Sequence, residues 1–290
     1  MLQFAESRKI KTPMKAPPVD YIRPRSLTEA VDLLAHASVE ARVIAGGQSL
    51  LAMMNLRVAS PRLLIDIARL PELLGVADHA DTVSLGACVT HAAIEDGRVP
   101  DPSRGLMPRV ASTLAYRAIR TCGTIGGSLA LSDPAAEWPA VLAALDAEVV
   151  VYGSSGRRLL ECTEFATGIF VTRLASAEII ESVRIPKRSA ETRWGYLKLS
   201  RKAGEFANAL AVVVADPAGE YYRAVSGAAN GAPLVLADTS RLLAEGRRDP
   251  DALRGAIGRD LNRASDRHFD DFQRNLHSVA SMRAVQQVLV

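Results

Sequence analysis

Two short segments of the chain pair adjacent glycines with small polar side chains. The first is Ala45-Gly46-Gly47-Gln48-Ser49-Leu50, and the second is Gly123-Thr124-Ile125-Gly126-Gly127-Ser128. Each stands ahead of a helical pattern, and the first leaves a short β-rich run from Arg42 to Ala45. Paired glycines permit positive φ and close backbone approach, while the amides that open a helix favour an anion. Two such loops suit the two phosphates of a dinucleotide, gripped from two sides. Either loop taken alone reads first as a plain strand-to-helix turn. Neither matches G-x-G-x-x-G or G-x-x-x-x-G-K-[ST], so a Rossmann fold and a nucleotide triphosphatase gain no support. The residues by themselves leave a flavin or nucleotide site and a pair of simple turns both open.

Other chemistry is sparse. The three cysteines, Cys88, Cys122 and Cys162, are far apart and odd in number, which offers neither a disulfide framework nor a C-x-x-C metal site. All three read as inert core residues. Five histidines show no pair at metal-ligand spacing. Redox chemistry in such a chain must therefore borrow an organic cofactor or a partner's metals. A formal charge of +3 with 5% aromatic residues argues against a nucleic-acid surface. The densest apolar run, Val141 to Val151, is broken by Asp146 and Glu148, so no membrane span is expected. The N-terminus lacks an apolar signal core, which fits a cytoplasmic protein.

The elements that must hold the two loops follow from periodicity. At 290 residues the length suggests two domains at about 150 residues each. Residues 1–16, with Arg8, Lys9, Lys11 and Lys15, read as a flexible solvated extension, and Met14 reads as an alternative start. Ser26 to Glu29 is a capping box for a first helix. Leu63 to Ile67 and Val83 to Ala87 read as strands, Leu106 to Ala118 as one helix. Asp133-Pro134 is expected to cap a long helix through Trp138 and Leu145. Val149 to Tyr152 and Arg158 to Leu160 form a hairpin, and Ile179 to Ile185 is a strand stopped by Pro186. Composition shifts after Lys187-Arg188, which sets the limits at 17–188 and 189–290. Beyond it come three strands (Trp194 to Lys202, Ala207 to Ala215 and Tyr222 to Ser226). Helices follow at Thr239 to Glu245, Pro250 to Leu261 and Ser278 to Val290. The fold class is α+β throughout.

Ala45 to Ser49 and Thr124 to Ser128, in that order, resemble the two flavin loops of a known family. It is the FAD-binding medium subunit of molybdenum hydroxylases, the carbon monoxide dehydrogenase and xanthine dehydrogenase group. Asp20 to Pro24, Leu50 to Arg57, Leu64-Ile65-Asp66, Asp133 to Glu137 and Tyr196 to Lys202 resemble further signatures. The resemblance implies a two-lobed FAD domain of the vanillyl-alcohol oxidase (PCMH) type, then a small C-terminal domain of a three-stranded antiparallel sheet with helices. It implies that Ala45, Gly46, Gly47, Gln48 and Ser49 wrap the pyrophosphate, with Val43, Ile44 and Leu50 closing the edges. Thr124, Ile125, Gly126, Gly127 and Ser128 would take the other side of the diphosphate; Ser128 stands where asparagine is usual. Glu137 replaces a common aspartate near a cofactor hydroxyl, Lys198 matches a basic position at the flavin, and Ile180 covers a ring edge. No side chain is assigned as catalytic and none as a metal ligand.

The implied role is electron relay. A large molybdopterin-binding subunit and a small iron–sulfur subunit would be the partners, in a dimer of heterotrimers, with the molybdenum–pterin and iron–sulfur clusters on those chains. This chain would carry FAD and deliver electrons to an outside acceptor. The competing readings are a stand-alone flavin oxidoreductase and a flavin-free assembly subunit.

Overall fold

A computed structural model describes residues 15–289, so the expected N-terminal extension lies outside the described residues except for its last two. Folding of the first unit starts at Ser26. Its hydroxyl accepts from Glu29 N, and the Glu29 carboxylate reaches back to Arg25 N, one residue upstream of the capping residue. This launches α1 (Leu27–His36), whose Leu27, Ala30 and Val31 are buried. Around it stand β1 (Asp20–Ile22), β2 (Ala41–Ile44), α2 (Leu50–Asn55) and β3 (Leu63–Asp66). The three strands form a parallel sheet in the order β1-β3-β2, with Leu63 and Ile65 in its core. Parallel pairing requires crossovers, and α1 and α2 occupy them. The sheet delivers Ile44 directly into the first glycine loop.

The second unit is antiparallel. It comprises α3 (Pro71–Leu74), β4 (Val76–Asp78), β5 (Thr82–Gly86), α4 (His91–Glu95), α5 (Leu106–Thr113), α6 (Arg117–Arg120), α7 (Ile125–Leu131), α8 (Glu137–Ala144), β6 (Glu148–Gly153) and β7 (Gly156–Glu161). After α9 (Cys162–Phe165) a small hairpin of β8 (Ala166–Gly168) and β9 (Val171–Thr172) precedes β10 (Ile179–Pro186). The sheet runs β4-β5-β10-β6-β7. A bulge between Ile180 and Ser182 bends β10 at the end nearest the glycine loops.

The helices of this second unit differ from the sequence expectation in three places. Leu106 to Ala118 is not one helix: the chain turns out at Leu114 to Tyr116, with Ala115 at φ 37°. The Arg120 guanidinium stabilises that break by donating to the carbonyls of Leu114 and Ala115 at 2.8 and 3.1 Å. Asp133 does not cap α8. Its carboxylate closes a local turn onto Ala135 N, and the helix starts at Glu137 without a side-chain cap. The second glycine segment is a shorter loop than expected, because α7 begins at Ile125 and takes in Gly126, Gly127 and Ser128.

The C-terminal region carries β11 (Arg193–Leu199), β12 (Ala209–Asp216), β13 (Tyr221–Gly227) and a two-residue β14 (Leu234–Val235). The expected three-stranded sheet is thus four-stranded, the extra strand being too short to show a period. All eight residues of β12 are buried. Leu210, Val212 and Val214 face α8 and the second unit's core, while Ala209, Ala211 and Val213 face α10 (Ala237–Ala244), α11 (Pro250–Arg263) and α12 (Asp271–Leu289). A strand covered on both faces reads as a continuous apolar run. The apolar packing therefore continues across residue 188. α12 begins seven residues ahead of the expected Ser278, and the reason is a reciprocal cap: Asp270 Oδ1 accepts from Gln273 N, and Gln273 Oε1 from Asp270 N.

Candidate functional site

The two glycine loops meet. A Cβ placed on Gly46 would fall 1.9 Å from the Cys122 carbonyl oxygen and 3.0 Å from Gly123 Cα, so only glycine permits the contact. Cys122 is exposed, unlike the buried Cys88 and Cys162, so the expectation of three core cysteines is corrected for Cys122. Burial pushes the Cys88 thiol up to about 12 and raises Cys162 further still. Between the loops opens a cleft of about 1480 Å³. That is larger than the ~300–1,000 Å³ of common small-ligand pockets.

Every candidate residue except Ile125 and Lys198 lines this cleft. Ile125 is wholly buried and points into the main core. Lys198 stands one layer behind the wall, its Nζ 2.5 Å from Glu137 Oε1 and 3.3 Å from the Thr113 carbonyl. The two side chains are only 7% and 5% exposed. Glu137 and Lys198 thus form a buried ion pair at the cleft wall. Burial raises the Glu137 carboxyl above its ordinary range, and the adjacent ammonium opposes the rise. Tyr196, next along the same face of β11, bonds Thr113 Oγ1 at 3.1 Å and packs in the core rather than along the cleft.

The loops differ in what they offer. The amides of Gly46, Gly47, Gln48 and Ser49 find no acceptor among the described residues. Gly47 takes φ 70°, a conformation that favours glycine. In the second loop the amides of Ile125 to Ser128 are spent inside the fold. Ile125 N donates to Val89 O, Gly126 N to Ala87 O, Gly127 N to Thr124 Oγ1, and Ser128 N to Thr124 O. What remains there is the Thr124 amide, which has no acceptor among the described residues, the Thr124 and Ser128 hydroxyls, and the glycine surface of Gly126 and Gly127.

Sequence reasoning missed His91 and Trp138, both in the cleft wall. The Trp138 indole donates to His91 Nδ1 at 3.0 Å. Burial, with Arg120 nearby, lowers the imidazole to about 4, so the ring is neutral. The only local signal was Thr90, which caps α4 by accepting from Ala93 N; nothing in the spacing joins residue 91 to residue 138. Exposed Tyr116, Phe170 and Phe206 also line the cleft. Among the described residues no cluster of His, Cys, Asp and Glu is arranged to hold a metal, and no helix is long and apolar enough to cross a membrane.

The sequence and the fold have counterparts. Residues 15–188 match the family described as the FAD binding domain in molybdopterin dehydrogenase. The chain is 39% identical over 205 residues to the nicotine 6-hydroxylase medium subunit of Paenarthrobacter nicotinovorans, covering 71% of each chain. It is 37% identical over 206 residues to the carbon monoxide dehydrogenase medium chain of Hydrogenophaga pseudoflava, covering 71% of this chain and 72% of that one. The solved carbon monoxide dehydrogenase from Hydrogenophaga pseudoflava, in a form lacking the Mo-pyranopterin moiety, superposes with a TM-score of 0.87 at 31% identity, over 94% of this chain and 98% of that chain. Quinoline 2-oxidoreductase from Pseudomonas putida 86 gives 0.82 at 28% identity, with the same two coverages.

Proposed function

This chain belongs to the family of FAD-binding medium subunits of molybdenum-hydroxylase-type dehydrogenases, and from that premise we propose that it relays electrons from a partner's iron–sulfur clusters to an external acceptor. It is an oxidoreductase subunit whose own cofactor is FAD, the molybdenum and iron–sulfur centres residing on other chains. The observation that carries the reading is the row of four amides at Gly46 to Ser49 with no acceptor among the described residues, opening on a cleft of about 1480 Å³. Unpaired amides at a bend of this kind suit a diphosphate, and the cleft has room for a dinucleotide. The residues present therefore fit FAD.

When bound, FAD supplies the exchange between single-electron carriers and a one- or two-electron acceptor. The protein's share is placement. In this reading Gly46 to Ser49 hold the diphosphate through backbone N–H groups, and Val43, Ile44 and Leu50 bound that end. Thr124 and Ser128 add hydroxyl donors from the facing side, while Gly126 and Gly127 let the nucleotide lie close. The Glu137 carboxylate meets a cofactor hydroxyl, fixed from behind by Lys198, and Ile180 closes an apolar edge at the β10 bulge. Residues 17–188 form the flavin-holding part, of the PCMH type, and 189–290 the C-terminal part that backs it. The assembly is a dimer of heterotrimers with a molybdopterin-binding and an iron–sulfur subunit, in the cytoplasm.

The test is the visible spectrum of the chain purified with the subunits that accompany it. The expected result is a flavin spectrum that releases one FAD per chain on denaturation. A complex without flavin, which also fails to take up added FAD, overturns the reading.

A further inference from the structure

His91 has a fixed protonation state and a donor that no described residue accepts. The Trp138 Nε1–H can only donate, so its 3.0 Å bond requires a lone pair on His91 Nδ1. A neutral imidazole with a bare Nδ1 carries its proton on Nε2. The ring is 8% exposed, and the nearby Arg120 is engaged by the Glu95 carboxylate at 2.8 and 2.9 Å. On the far edge, Nε2 and Cδ2 lie against Gly123, where a Cβ would come within 2.9 and 2.8 Å of them. Nε2 has no acceptor among the described residues, and it is not among the sealed polar atoms that lack one. The cleft wall includes both His91 and Gly123. Gly46 closes on the other side of Gly123, so the free donor stands where the two loops meet.

We propose that His91 Nε2–H is a hydrogen-bond donor to an oxygen of the bound flavin nucleotide at the junction of the two glycine loops, and that Trp138 holds the ring in the donating tautomer. The proposal rests on FAD occupying the cleft. It gives the second loop, whose amides from Ile125 to Ser128 are already spent, a donor supplied from the layer beneath it. Gly123 is then glycine for a binding reason as well as a packing one, since any side chain there displaces the imidazole edge. His91 is a binding residue and Trp138 a positioning residue acting through it.

The experiment titrates FAD into the flavin-stripped complex carrying the wild-type chain, His91→Phe or His91→Gln. Loss of one donor in His91→Phe is expected to weaken FAD binding about tenfold, and His91→Gln, whose amide N–H reaches toward the place of Nε2–H, to recover most of that loss. Thermal midpoints of the flavin-free complexes separate binding from folding. Equal FAD affinity for wild type and His91→Phe overturns the proposal, as does a glutamine variant no tighter than the phenylalanine one. Should His91→Phe fail to fold, 15N-histidine NMR of the unaltered full-length chain decides: a protonated Nε2 with bare Nδ1 supports the proposal, and a protonated Nδ1 overturns it. A wild-type complex that binds no FAD overturns the functional reading with it, whereas FAD binding indifferent to residue 91 overturns this inference alone.

Discussion

The two glycine loops have nearly the same composition and opposite economies of hydrogen bonding. At Gly46 to Ser49 four amides have no acceptor among the described residues, and α2 behind them has no side-chain cap. At Ile125 to Ser128 every amide is committed, two of them to the Ala87–Val89 segment and two to Thr124. The glycines follow the same division. Gly47 is needed for its φ of 70°, whereas Gly126 is needed because a Cβ would lie 2.4 Å from the Ala87 Cβ. A Gly-Gly pair thus marks a ligand-facing donor row in one place and a packing platform in the other. Sequence cannot separate the two, because the distinction lies in which acceptors the rest of the fold brings near.

The sharpest way to break the comparison is Gly126→Val. Its branched side chain has nowhere to go against Ala87, so the flavin-free chain should lose about 3 kcal/mol or more and fail to accumulate in folded form. A folded variant with an unchanged thermal midpoint would show that the second loop is not a platform. Next comes the pair behind the wall. Lys198→Met leaves Glu137 buried without its partner, a loss of about 3–5 kcal/mol. Adding Glu137→Gln should recover much of it, since a neutral amide avoids the stranded charge; denaturant midpoints of the single and double variants measure the coupling. In the first loop the balance reverses. Gly47→Val should cost about 2 kcal/mol in backbone strain yet abolish FAD retention, because the bend that presents the amides is lost. Gly47→Val retaining full FAD would end the donor-row assignment.

How much of this was legible depended on whether the signal was local. The strand into Gly46, the hairpin of β6 and β7 and the long apolar β12 were readable because period and turn residues lie within a few positions of each other. Ser26 and Glu29 were readable as a cap, while Asp270 and Gln273 carry the same kind of pattern and passed unread ahead of a helix with a weak apolar stripe. Asp133 was misplaced because an aspartate before proline serves a short turn as well as a helix start. The break at Ala115 depends on Arg120, and the depth of Lys198 depends on the arrival of α8 from another unit. Lys198 was legible as a family position, but its burial against Glu137 was not. His91 and Trp138, 47 residues apart, had no shared pattern at all.

The smallest expected effect separates the platform from the rest of the fold by pH. His91 under the second loop and His277 in the C-terminal region are both held near 4 by burial, against the ordinary 6.5. The folded state therefore takes up these protons later than the unfolded chain. Their stabilisation is complete above pH 6.5 and is lost as the pH falls toward 4. At pH 5.5 each neutral histidine should already cost about 1 kcal/mol of stability relative to pH 7.5. His277 bonds Ser226 Oγ at 2.9 Å, far from either loop in the chain, and so serves as the internal control. Replacing His91 by glutamine should remove one of the two contributions and roughly halve this histidine-linked loss, leaving the His277 share in place. Denaturant midpoints of the flavin-free chain at the two pH values measure this. An unchanged pH slope in His91→Gln would mean that the imidazole beneath Gly123 titrates as freely as one in water, and the second loop would then not rest on a neutral ring.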